Sequence, residues 1–164
     1  MTVQDMVLTP CGLRYLGRTF PCTIGRGGIS AKKNEGDGAT PVGILRVTGL
    51  FYRADRMPLP APWAAPIGPR DLWSDASEDP AYNTHVTAPY APSHENLRRA
   101  DPLYDLILTT DWNWPNATPG AGSAIFLHQW RRPAYPTEGC IAFARPHIRW
   151  IAQRAAPGTR IIVR

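Results

Sequence analysis

Apolar residues along the first part of the chain come in short clusters rather than in long helical stretches. Residues 3–8, 13–16 and 18–24 each carry enough apolar positions for a strand, and Gly and Pro punctuate the intervals. A polar, glycine-rich loop follows, running through Gly25-Arg26-Gly27-Gly28 and Glu35-Gly36-Asp37-Gly38-Ala39-Thr40-Pro41-Val42-Gly43. It leads into a strand at 44–50. Residues 53–70 are rich in Pro and Ala and read as an irregular surface loop. Residues 80–92 are also irregular, with strand fragments at 82–83 and 86–87. Ser93 is placed to cap a short helix through 95–99. An apolar strand is predicted at 104–109 and a loop with two tryptophans at 112–122. A buried strand at 124–127 delivers His128 at its end. The clearest helix comes last. Pro146 sits in its first turn, where a missing N–H is harmless. Ile148, Ile151, Ala152 and Ala155 recur at helical spacing, Pro157-Gly158 stops the helix, and a strand at 159–163 closes the chain. The expected fold is mostly β, of the α+β class, in a single domain spanning 1–164 with a short C-terminal helix.

Composition supports that picture. Eighteen prolines and fourteen glycines in 164 residues suit a loop-rich β domain better than a helical bundle. The net charge of +5 comes almost wholly from arginine and favours anionic partners, including carboxylate-rich polymers. No Lys/Arg run exceeds two residues, so a nucleic-acid partner is not expected. Nor is membrane insertion, because no apolar run is long enough for a spanning helix. Residues 1–6 lack the positive start and apolar stretch of a secretory signal. The chain as given therefore reads as cytosolic, trimmed or exported by another route.

Three cysteines are present. A hairpin turning at Leu16-Gly17 would set Cys11 opposite Cys22 and allow a disulfide, although Pro21 disturbs that strand. Two reduced core thiols are the plainer reading. Either way Cys140 is left unpaired.

Cys140 lies in Thr137-Glu138-Gly139-Cys140-Ile141-Ala142. A cysteine directly after glycine suits a tight turn with exposed backbone N–H groups, and such groups can stabilise a tetrahedral oxyanion. A free thiol has a pKa of about 8.5 and needs a nearby base to attack at neutral pH. His128, at the predicted strand end just upstream, is the candidate base. A buried structural thiol is the competing reading for Cys140.

These residues resemble the active-site motif of the L,D-transpeptidase (YkuD-like) catalytic domain family. The likeness lies in Gly122-Ser123-Ala124-Ile125-Phe126-Leu127-His128 followed by Thr137-Glu138-Gly139-Cys140-Ile141. The 35–43 loop is similar to the family's Thr-Pro-x-Gly segment, and residues 73–83 and 104–105 resemble a signal-less proteobacterial branch. The resemblance implies a mixed β-sandwich and a cysteine acyltransferase acting on peptidoglycan stem peptides in the periplasm or cell envelope. It implies that Cys140 forms a thioester that a diaminopimelate amine resolves into a crosslink. That branch is associated with crosslinks between a first-position L-alanine and a third-position diaminopimelate. His128 is the implied base, the N–H groups of Gly139 and Cys140 the oxyanion hole, and Thr137 the family's Ser/Thr. Glu138 stands where the family has a second histidine, and Ala142 where Arg or Asn is usual. The His-to-Cys spacing is shorter than in the commonest pattern.

Arg145 either supplies the cation that position 142 lacks or only flanks the helix start. Trp73, Tyr82, Trp112, Trp114 and Trp130 either line a substrate groove or fill core. Arg131-Arg132 either holds substrate carboxylates or forms a solvated edge. His85, His94 and His147 show no metal-ligand spacing with Cys140, so neither metal nor cofactor is expected. The chain is expected to act as a monomer. A noncatalytic wall-binding module and a cysteine hydrolase are the competing functions.

Overall fold

The computed structural model describes residues 2–164. Among the described residues, fifteen strands and one helix follow one another. The first eight strands are β1 (Met6–Thr9), β2 (Gly12–Tyr15), β3 (Arg18–Phe20), β4 (Cys22–Thr23), β5 (Ile29–Ser30), β6 (Thr40–Pro41), β7 (Gly43–Tyr52) and β8 (Ala65–Pro66). Then come β9 (Asp71–Ser74), β10 (His85–Thr87), β11 (His94–Asn96), β12 (Leu106–Thr110), β13 (Leu127–Gln129), β14 (Ile141–Phe143), α1 (Arg145–Ala152) and β15 (Arg160–Val163).

The main sheet runs β3-β2-β1-β15-β7-β12-β13-β14-β4, with β8 beside β7. Its two outer strands, β3 and β4, are joined in sequence by Pro21 alone. The sheet therefore curls nearly into a barrel, mixed because β1·β15 and β13·β14 are parallel. Pro21 is where the expected 18–24 strand breaks, since proline brings no ladder N–H and frees the chain to change direction. The β2–β3 hairpin turns at Leu16-Gly17 as expected, both residues at positive φ, which matches the right-handed twist of the flanking strands. Cys11 and Cys22 are nevertheless free thiols, and Cys11 is exposed.

The curled sheet packs around one apolar cluster. It includes Met6, Leu13, Leu45, Val47, Leu108, Leu127, Ile141 and Phe143, and α1 adds Ile148, Ile151 and Ala152. The helix ends at Ala152, earlier than the stop at Pro157 predicted, yet Ala155 still reaches the core from the following turn. A second apolar cluster, with Trp73, Leu97, Tyr104, Ile107, Phe126 and Cys140, fills the space beneath the small sheet β10-β9-β11.

Two expectations fail here. The segment after Ser93 is strand β11, not helix. Glu95 pairs with Trp73 and Asn96 with Leu72, and this pairing satisfies backbone groups that an isolated turn of helix would leave open. Residues 82–83 form a turn rather than a strand fragment, with Asn83 at φ +59°.

Candidate active site

The parallel pair β13·β14 sets the central geometry. Leu127 lies beside Ile141 and His128 beside Ala142. Cys140, two residues before Ala142, therefore projects from the same face as His128. Both side chains line one cleft of about 620 Å³. They are nearly covered, Cys140 at 8% and His128 at 5% exposure. His128 sits inside its strand rather than at its end, because the ladder begins only at Leu127 and continues through Gln129.

The turn that carries the thiol is braced from several directions. Gly139 has φ +136°, and a Cβ there would come within 2.8 Å of the Ala39 carbonyl oxygen, so only glycine fits. The fully buried Thr40 hydroxyl donates to the Gly139 carbonyl at 2.8 Å and accepts the Gly25 N–H at 2.9 Å. The Thr-Pro-x-Gly segment thus clamps the glycine loop against the Gly139-Cys140 turn. Thr137 Oγ1 donates to the Cys140 carbonyl at 2.6 Å and accepts the Gly139 N–H at 3.2 Å. One of the two expected oxyanion donors is therefore engaged at rest. The Cys140 N–H makes no hydrogen bond among the described residues.

The thiol donates to the Ala124 carbonyl at 3.1 Å and accepts the Phe126 N–H at 3.4 Å. No hydrogen bond joins it to His128 among the described residues. Burial raises the thiol pKa to about 12, and the Glu95 carboxylate adds to the rise. Burial likewise lowers His128 to about 4. The resting pair is thiol plus neutral imidazole, not an ion pair. His128 Nδ1 faces the Gln129 carbonyl at 2.7 Å, which assigns the proton to Nδ1 and leaves Nε2 to accept one. The Tyr104 ring meets the imidazole edge-on, with centroids 5.2 Å apart. Its hydroxyl donates to Glu95 Oε2 at 2.6 Å, and burial pushes the Glu95 carboxyl pKa up.

The other expected site residues divide. Trp130, Arg131, Thr137 and Glu138 line the cleft, and Glu138 forms an exposed ion pair with Arg26 at 2.7 Å. Arg145 does not line it: the residue is exposed at the start of α1. Trp73 is core, with its indole edge-on to Phe126 and its Nε1–H on Asn83. Tyr82 is buried too, donating to Glu35 and accepting the Gly122 N–H at 3.1 Å. Both aromatics support the cleft from behind rather than lining it. Sequence reasoning missed Lys33, Glu95, Arg99 and Tyr104, all of which line the cleft. Glu95 was hidden by the mistaken helix. The strand alternation of β11, once seen against β9, is the signal that would have exposed it. Among the described residues no cluster of His, Cys, Asp or Glu is arranged to hold a metal ion. Nor, among the described residues, is any helix long and apolar enough to cross a membrane.

Neither the curated proteins nor the solved structures give a match to this chain. The family comparison does: residues 13–163 match the model of the YkuD family, the L,D-transpeptidase catalytic domain. That span covers both the braced Gly139-Cys140 turn and His128, and nearly the whole chain. The chain belongs to the L,D-transpeptidase catalytic domain family.

Proposed function

We propose that this protein is a peptidoglycan L,D-transpeptidase of the cell envelope that works through a Cys140 thioester. The observation that carries the reading is the shared face of β13 and β14, which turns Cys140 and His128 into one cleft. A buried thiol of this kind attacks only when its proton has somewhere to go. Nε2 of the neutral His128 takes the Sγ proton as sulfur attacks the stem-peptide carbonyl. The Cys140 N–H, unengaged at rest, faces the developing oxyanion. The amide C–N bond then breaks, and the imidazolium returns its proton to the departing amine. In the second half, a diaminopimelate amine of another stem attacks the thioester. It passes a proton to His128, the C–S bond breaks, and the thiol is restored with its proton. The product is a crosslink.

The cleft is suited to a zwitterionic partner. Arg131 lies on its exposed rim with its guanidinium over the Tyr135 ring and makes no ion pair among the described residues, which leaves it for a stem carboxylate. Glu35 and Glu95 line the same cleft without an ion pair among the described residues and favour an incoming ammonium.

The test is to mix purified protein with stem-peptide muropeptides and follow products by mass. Crosslinked dimers that disappear with Cys140→Ala are expected. Hydrolysed donor without dimers would make the protein a hydrolase. Binding to isolated wall without turnover would make it a noncatalytic module.

A further inference from the structure

One buried side chain outside the reacting pair is hydrogen-bonded more completely than the fold alone requires. Asn83 is 2% exposed and uses all four of its amide valences. Its Oδ1 accepts the Trp73 indole N–H at 3.1 Å and the Ala124 N–H at 3.0 Å. Its Nδ2 donates to the carbonyls of Trp112 at 2.8 Å and Asn113 at 2.9 Å. Three of the residues in this network adopt the left-handed backbone region without being glycine: Asn83 at φ +59°, Asn113 at +50° and Ala124 at +52°. For alanine that conformation is disfavoured and persists only where its surroundings hold it. Ala124 is buried, lines the cleft, and offers its carbonyl to the Cys140 thiol at 3.1 Å. Its strained backbone is thus pinned on the N–H side by Asn83 and read out on the C=O side by sulfur.

We infer that Asn83 is a positioning residue for the nucleophile: through the Ala124 peptide it fixes where the Cys140 sulfur sits relative to His128. The inference rests on the transpeptidase reading above. Tyr82 supports the same loop one step earlier, through the Gly122 N–H at 3.1 Å. Adjacent side chains in one turn thereby anchor two points of the 122–124 segment. The route is short and continuous: amide oxygen, Ala124 N–H, Ala124 carbonyl, thiol. If Asn83 is removed, Ala124 is free to leave φ +52° and its carbonyl swings off the sulfur. A misplacement of roughly 1 Å at a reacting atom is enough to slow a reaction by about 10²-fold.

The test measures acylation of Cys140 by a carbapenem-type β-lactam, separating maximal acylation rate from half-saturating concentration, well below each protein's thermal midpoint. Asn83→Ala is expected to lower the maximal rate by about 10–100-fold with little change in the half-saturating concentration. Ala124→Gly separates position from folding. Glycine tolerates φ +52° but is not confined to it, so the thermal midpoint is expected to stay near that of the wild type while the loosened 124 peptide lets the sulfur wander and the maximal rate falls several-fold. If Asn83→Ala does not fold, Ala124→Gly decides alone. Wild-type maximal rates in the folded variants, or a loss confined to the half-saturating concentration, would overturn the inference and leave the transpeptidase reading standing. A wild-type protein that takes no adduct would bring down both.

Discussion

Two stretches precede the thiol in sequence and have opposite character. Residues 122–128 are buried at every position, whereas 131–136 are exposed at every position. The first stretch spends its backbone on Asn83, Tyr82 and the Cys140 sulfur. The second offers two arginines stacked on one tyrosine, with centroid distances of 5.5 and 5.0 Å. The contrast separates two tasks. On the proposed function the buried side fixes the reacting sulfur, so small displacements there are costly. The exposed side would meet the wall polymer, and its long side chains tolerate change because solvent screens each contact.

Changes that break the contrast should differ in size accordingly. The largest effect is expected at Gly139. A Cβ would press on the Ala39 carbonyl, and the residue would be held at φ +136°. Gly139→Ala should lower stability by about 1–3 kcal/mol and slow carbapenem acylation by about 10²-fold in whatever protein remains folded. Denaturant unfolding and stopped-flow acylation read the two losses separately.

A comparable effect comes from pH. His128 has its pKa lowered by burial from 6.5 to about 4. Between those values the unfolded chain binds the proton and the folded chain does not, so unfolding becomes easier as pH falls through that window. The loss from pH 7 to pH 4 should be about 3 kcal/mol, and His128→Gln should flatten that part of the urea-unfolding profile. The smallest effect is expected on the rim. Arg131→Ala should raise the half-saturating stem-peptide concentration by about fivefold or less, an effect that added salt diminishes, with turnover unchanged.

How far the sequence could be read follows the same division. The hairpin at Leu16-Gly17, the strand at β7, the helix opened by Pro146 and the Gly139-Cys140 turn were legible because each is set by local chemistry: turn residues, alternation, a first-turn proline. The chain also carries short motifs there that resemble the family. The far side of the cleft was not legible. Glu95 and Tyr104 come together only because β11 pairs with β9, a non-local choice that overrode a capped-helix pattern at Ser93. Trp73 and Tyr82 were read as open between groove and core. They are core because each ends in a hydrogen bond that serves the 122–124 segment or its Asn83 anchor. Arg145 was read as open between supplying the cation that position 142 lacks and flanking the helix start, and it stands exposed at that start.

The central claim is that Cys140 and His128 act as a nucleophile and base that are both neutral at rest. Its most direct test is intact-mass analysis after exposure to a carbapenem-type β-lactam at neutral pH, with the adduct mapped by peptide. One adduct is expected, on Cys140, absent in Cys140→Ala and formed at least about 10²-fold more slowly in His128→Ala. An adduct that forms at full rate without the imidazole, or one on Cys11 or Cys22 with Cys140 untouched, would contradict it.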